Sequence, residues 1–182
     1  MNANELFQKK SMEELGRLDA QSAKTNEHFP IWIILDGVRS MHNVGAVFRT
    51  ADSFNLSGIY LCGFTPKPPH RDIHKTALGA TESVIWHYDK DVTASILKLK
   101  SEGYKIIGVE QTHNSVWLQD YPYSINDKVA LVMGNEVSGV SDEALALCDA
   151  VIEIPQFGAK HSLNISVATG VVLWEMVRIY TQ

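Results

Sequence analysis

Along most of the chain, short and nearly continuous apolar runs alternate with longer segments that read as helices. IWIIL (31–35), residues 58–62, SVIWH (83–87), YKIIGVE (104–110), VALVM (129–133) and AVIEI (150–154) predict six strands. Between them, HNVGAVFRTADSFN (42–55) predicts a helix with Asn43 as its N-cap, and DVTASILKLKSEG (91–103) a helix opened by Asp91 and closed by Gly103. SDEALALC (141–148) reads as a short helix and NISVATGVVLWEMVRIY (164–180) as a long, strongly apolar one. Strands that are apolar throughout and alternate with helices predict an α/β fold, a parallel sheet with helices on both faces. Ahead of it, SMEELGRL (11–18) pairs Ser11 with Glu14 in a capping-box pattern for a short helix. AQSAKTNEHFP (20–30) reads as a linker, and GFTPKPPHRDIHK (63–75) as an exposed loop.

Composition narrows the class without naming a chemistry. The 182 residues, 45% hydrophobic and 20% charged, suit one globular domain with a sizeable core. The expected division is a helical extension and linker over 1–29 and a main domain over 30–182. No apolar run is long enough to span a bilayer, and MNANELFQKKSMEEL lacks the layout of a signal peptide, so the cytoplasm is the expected location. Two cysteines, Cys62 and Cys148, make neither a disulfide framework nor a four-ligand zinc site. His70 and His74 lack a clear third ligand, so no metal is expected. The four tryptophans fall mostly in strands or apolar helix and read as core.

The net charge of −5 is unevenly spread: nine Lys/Arg against eight Asp/Glu over 1–80, and seven against thirteen over 81–182. Basic residues cluster at Lys9, Lys10, Arg17 and Lys24, and again at Lys67, Arg71 and Lys75. A local patch can hold phosphate on an acidic protein, because the field is screened within roughly 8–10 Å.

Ligands of open α/β sheets bind beyond the carboxyl ends of the strands, and three loops there are unusual. After IWIIL there is no GxGxxG, which disfavours an ordinary dinucleotide-binding fold. Instead Gly45 and Arg49 lie four residues apart on one helix face. Either the glycine leaves room for a phosphate or ribose, or it allows close strand–helix packing while Arg49 pairs with Asp36 or Asp52. After VALVM, Gly134 and Gly139 bracket Asn135, Glu136 and Ser138, and a glycine directly behind a buried strand lets a ligand reach main-chain amides. After AVIEI, one loop and helix start carry Lys160, His161, Ser162, Asn164 and Ser166, with Asn164 a natural helix cap.

These three loops together resemble the signature motifs of the SpoU-type (TrmH-like) RNA 2′-O-ribose methyltransferases of the SPOUT superfamily. The first runs from Asn43 through Gly45 to Arg49. The second runs from Val132 through Gly134 and Glu136 to Gly139, and the third from Ile154 through Gly158, Ser162 and Asn164 to Ala168. The resemblance covers about residues 30–180. It implies a deep C-terminal trefoil knot over about 129–182 and S-adenosylmethionine bound in it by Gly134, Ile154 and Leu163, with the end of YKIIGVEQT (104–112), Thr112 included, lining the site. It also implies a homodimer whose active site draws on both subunits. Arg49 is then the principal catalytic residue, with Asn43, Glu136, Ser162 and Asn164 in support. The sequence departs from the family at Gln156 and in Lys160-His161, and shows no large N-terminal RNA-binding domain or long basic C-terminal tail. Target recognition is therefore expected to rest on Lys67, Arg71, Lys75 and Arg39, the N-terminal segment and the dimer surface. The compact build, similar to tRNA-modifying members, makes tRNA the expected substrate and rRNA the alternative.

Overall fold

The computed structural model describes residues 8–11, 13–16, 19–159 and 162–181. Among them, seven strands form one sheet: β1 (Phe29–Asp36), β2 (Leu56–Cys62), β3 (Trp86–Asp89), β4 (Lys105–Val109), β5 (Val116–Trp117), β6 (Val129–Met133) and β7 (Ala150–Glu153). Their order is β3-β2-β1-β6-β4-β7-β5, and every pairing is parallel. The helices are α1 (Ala20–Thr25), α2 (Met41–Ser53), α3 (Arg71–Ala77), α4 (Ala80–Ser83), α5 (Val92–Ser101), α6 (Asp142–Leu145) and α7 (Ile165–Tyr180). After β4 the chain runs out to the edge at β5. It returns to insert β6 between β1 and β4, then goes out again to insert β7 beside β4. This order is compatible with the knot implied for 129–182.

Burial on both faces explains the continuous apolar runs. Ile31, Ile33, Leu35, Leu131 and Met133 join α2, α3 and α7 in one core. Ile34, Tyr60, Ile106, Ala130 and Val132 join Ile96 and Leu99 of α5 in the other. All five residues of β6 are buried, as its central place requires. Cys62 and Cys148 are both free, and burial pushes their thiols up to about 12 and about 11, the range of inert structural cysteines.

The chain departs from its sequence pattern in four places. Residues 20–25 are a helix, because the Asp19 carboxylate accepts from the amides of Gln21 and Ser22 at 3.0 and 2.9 Å. It packs against α4 rather than linking anything. The supposed loop 63–75 turns helical at Arg71, once the prolines end and His70 Nδ1 can accept from Asp72 N at 3.2 Å. The third strand starts at Trp86, since residues 80–83 wind into α4. The two-residue edge strand β5 carries no periodicity to read. The tryptophans also divide: Trp86 packs edge-on against Phe48, whereas Trp117 and Trp174 are exposed. Ser11 and Glu14 do make the reciprocal capping bonds, at 2.6 and 3.2 Å, around a turn at 13–16. Met12, Arg17 and Leu18 of the expected helix over 11–18 lie outside the described residues, as do Lys160 and His161.

Gly45 has a structural role different from the one its motif suggests. A Cβ there would sit 2.1 Å from Thr76 Oγ1 and 2.3 Å from the Ile73 carbonyl oxygen. The glycine therefore lets α3 seat directly on α2, a helix–helix contact, and leaves no space for a ligand. Thr76 Oγ1 then donates across the gap to the His42 carbonyl at 3.0 Å. Backbone cannot yield as a side chain can, so Gly45→Ala is expected to cost about 1–3 kcal/mol. A urea or thermal melt checks this; an unchanged midpoint would show that α3 moves away freely.

Candidate active site

The first loop is organised by Ser40. Its hydroxyl caps α2 by accepting from Asn43 N at 3.2 Å. The predicted cap, Asn43, therefore lies inside the first turn, buried, with its side chain free to reach outside the helix. It does so in both directions. Asn43 Nδ2 donates to Glu136 Oε1 at 3.0 Å, and Asn43 Oδ1 accepts from Asn164 Nδ2 at 3.1 Å. Asn164 meanwhile caps α7 through Oδ1, accepting from Ser166 N at 2.9 Å. One line of side chains, Glu136–Asn43–Asn164, thus ties the three motif loops together.

Glu136 is the anchor of that line. Besides Asn43, its carboxylate accepts from Arg39 N at 3.0 Å and Ser40 N at 3.1 Å, at the positive end of α2. Burial pushes its pKa up, but the N–H groups of Arg39, Glu136 itself, Asn43 and Ser40 together outweigh it and hold the carboxyl below its ordinary value. A carboxylate so occupied positions the loop and is a poor proton acceptor.

The second loop closes on itself. Asn135 and Gly139 exchange backbone hydrogen bonds at 2.9 Å, and the Asn135 carboxamide accepts from Val137 N and Ser138 N. Gly134 is needed because a Cβ would lie 2.1 Å from Gly139 C. Gly139 is favoured because its φ of +71° is a left-handed backbone that other residues adopt only under strain, and the Glu110 carboxylate lies against it. Neighbouring loops lock this hairpin: Asn135 Nδ2 donates to the Gly37 carbonyl at 2.6 Å, Val140 N donates to Glu110 at 3.0 Å, and Ser141 N donates to Asp36 at 2.9 Å. The end of YKIIGVEQT, which holds Glu110, does line the site, but the partners of Glu110 and Asn135 escape a sequence reading. Their only signal is their place, each just past the carboxyl end of a strand.

These loops surround a cavity of about 470 Å³, within the range of small-molecule sites. Gly134, Glu136, Ile154, Ser162, Leu163 and Asn164 all line it. Thr112 does not: it closes a turn with Ser115, whose hydroxyl donates to the Thr112 carbonyl at 2.8 Å, and Gln111 takes its place on the wall. The lining mixes apolar Val109, Met133, Ile154 and Leu163 with the carboxylates Glu110 and Glu153. That mixture fits S-adenosylmethionine, which joins a flat heterocycle to a cationic sulfonium and ammonium.

Arg49 stands apart from the cavity, exposed on α2. Among the described residues no carboxylate forms an ion pair with it. Asp36 is taken by Ser141 N, and Asp52 accepts from the Ser83 hydroxyl. Of the other cations, Lys75 pairs with Asp72 at 2.9 Å, Lys67 sits 4.2 Å from the centre of the Tyr88 ring, and Arg39 and Arg71 are exposed.

Comparison with known proteins agrees with this layout. Residues 30–174 match the model of the SpoU rRNA Methylase family. The 23S rRNA (guanosine-2′-O-)-methyltransferase RlmB of Vibrio vulnificus is 32% identical over 93% of this chain and 67% of its own length. RlmB of Neisseria meningitidis is 34% identical over 82% and 58%. The chain thus spans about three fifths to two thirds of these relatives. The AdoMet-bound rRNA methyltransferase of Sinorhizobium meliloti superposes with a TM-score of 0.76 at 28% identity, over 86% of this chain and 59% of that one. The TrmH/SpoU tRNA modifying enzyme of A. aeolicus does so at 0.78 and 25%, over 89% and 82%. Sequence, sheet order and the three joined loops agree, and the chain belongs to the SpoU family of RNA methyltransferases, which take their methyl group from S-adenosylmethionine.

Proposed function

We propose that this protein methylates a ribose 2′-hydroxyl of RNA, with large-subunit ribosomal RNA as the substrate class. The observation that carries the reading is the Glu136–Asn43–Asn164 line, which holds three motif loops at the rim of one cavity. The compact build does not decide between RNA classes. Support for rRNA comes from relatives above 30% identity whose names specify 23S rRNA, against a tRNA-modifying neighbour at 25%. Likeness to bacterial rRNA methyltransferases supports a cytoplasmic location.

S-adenosylmethionine supplies an electrophilic methyl on a positive sulfur. Bound here, it would offer that methyl to a ribose 2′-oxygen, the carbon–sulfur pair staying on sulfur and the hydroxyl proton passing to water. Gly134, Ile154 and Leu163 hold the donor, and Ser162 and Asn164 face the ribose. Arginine side chains in proteins stay charged, so the role given to Arg49 is to clamp the adjoining phosphate and stabilise charge growing on the hydroxyl oxygen rather than to act as a base.

Arg49 does this work across a dimer. Helix α7 is buried on one side through Ile165, Val172, Leu173, Met176 and Val177. Yet Val167, Val171 and Trp174, at i, i+4 and i+7, are 52%, 40% and 61% exposed. A helix apolar all round needs cover on both sides, and a second copy provides it. Helix α2 packs against α7, which supports a reading in which Arg49 lies near this interface and serves the partner's cavity.

Incubation with labelled S-adenosylmethionine and unmodified transcripts, followed by mapping of 2′-O-methyl groups, tests the proposal. Label in 23S rRNA is expected. Label confined to tRNA would reverse the substrate class, and no calorimetric binding of S-adenosylmethionine would remove the reaction.

A further inference from the structure

Phe64 is 92% exposed, yet nothing about it is loose. It sits in a tight turn, Cys62–Thr65, in which Thr65 N donates to the Cys62 carbonyl at 3.1 Å and Gly63 N to the Asp89 carbonyl at 3.1 Å. Thr65 is buried, and its hydroxyl donates to the Leu35 carbonyl and accepts from Val38 N, both at 3.0 Å. The Tyr88 hydroxyl donates to the Gly63 carbonyl at 3.0 Å from below. The fold therefore fixes the backbone on both sides of a large aromatic side chain and leaves its ring bare. Among the described residues no aromatic partner covers it.

Basic side chains follow it closely in sequence, while the carboxylates Asp36, Asp89 and Asp91 lie on the Cys62 side of the turn. Within the same loop, Lys67 holds its ammonium 4.2 Å from the centre of the Tyr88 ring, a contact that orders a long side chain on the surface. Arg71 follows at the start of α3, exposed. The turn is also joined to the site. Thr65 binds Val38, the next residue is Arg39, and Arg39 N donates to Glu136. Turn and cavity both lie beyond the carboxyl ends of the strands.

We propose that Phe64 is a stacking platform for an unpaired base of the RNA substrate, with Lys67 beside it on the sugar–phosphate backbone. A bare ring held rigidly, with one ordered cation in the same loop, suits single-stranded nucleic acid, since every base has a face to stack and every link a charge to neutralise. A protein partner would call for a broader apolar patch than one ring flanked by Gly63, Thr65, Pro66 and Lys67. The proposal rests on the chain acting on RNA. It adds where a nucleotide flanking the methylated one is held.

The test uses a roughly 12-nucleotide single-stranded RNA with 2-aminopurine replacing each adenine, titrated at low salt. Stacking quenches the fluorophore. Wild type is expected to bind and quench. Phe64→Ala should weaken binding about tenfold and lose the quenching, while Phe64→Trp keeps both. Lys67→Ala should weaken binding yet keep the quenching at saturation. Calorimetry with S-adenosylmethionine should match wild type for all three. Equal affinity and quenching in Phe64→Ala would overturn the platform alone and leave the methyltransferase reading intact. So would a change in the mass of Phe64→Ala by light scattering, which would assign the ring to a protein contact. A wild type that binds S-adenosylmethionine but no RNA would overturn the platform together with the RNA reading.

Discussion

Arg49→Ala is expected to reduce methyl transfer by about 10²–10³-fold, the scale found when one preorganised charge donor is removed from a developing oxyanion. Binding of S-adenosylmethionine should persist, because Arg49 does not line the cavity. Stability should change by no more than about 0.5 kcal/mol, since the side chain is exposed and no carboxylate among the described residues depends on it. The three readouts separate the possibilities. A loss of cofactor binding would mean that Arg49 shapes the pocket. A large loss of stability would mean that it serves α2. Retained activity would defeat the catalytic role. Arg49→Lys should recover little, because a point charge cannot reproduce the flat two-pronged grip on phosphate.

Trp174→Glu should convert the protein to a monomer and lose methyl transfer to the same extent. The substitution places a carboxylate at the end of the stripe formed by Val167, Val171 and Trp174, on its largest side chain, where a charge buried without a partner is costly. The monomer should stay folded, since the buried side of α7, through Val172, Leu173 and Met176, is untouched. Light scattering and circular dichroism report mass and fold separately. A dimer that survives would move the interface elsewhere. A sharper version mixes two inactive variants, Arg49→Ala and Leu163→Arg, the second blocking the cavity. If each site takes Arg49 from its partner, mixed dimers contain one intact site, and an equal mixture should regain about a quarter of wild-type activity through the symmetry of the pair. No recovery would mean that Arg49 acts within its own chain.

Both expectations bear on a motif that was conspicuous in the sequence but ambiguous there. Gly45 and Arg49 share a helix face, and spacing alone allowed a ligand or a packing contact. The packing contact wins at Gly45, with α3 instead of a strand as the neighbour, because Thr76 Oγ1 and the Ile73 carbonyl fill the place of its Cβ. At Arg49 neither expected partner holds: Asp36 is committed to Ser141 and Asp52 to Ser83. Spacing along a helix tells which residues are neighbours on it, but not which other element will arrive at that face.

The second and third loops were more legible. Gly134 and Gly139, Glu136, and Asn164 as a cap stand out locally, because glycine after a buried strand and a polar cap before an apolar helix are decided by nearby residues. Their partners were not legible. Asn43 reads as a helix cap, and it is instead the link from Glu136 to Asn164, positions 93 and 121 residues away. Ser40 takes the capping position and so releases it.

By itself, the sequence determined the α/β class, the central strands and the long apolar helix, because apolar periodicity and turn residues act over a few positions. It also carried the three motifs that mark the family. Only the tertiary structure decided the strand order, with β6 and β7 inserted between earlier neighbours, and the meeting of Glu136, Asn43 and Asn164 at one cavity. It alone showed the exposed stripe of α7 and the bare ring of Phe64. The physical reason is the same in each case. Whether a polar side chain is paired, or an apolar one covered, depends on elements far away in the chain, and the local pattern is identical whether those elements arrive or not.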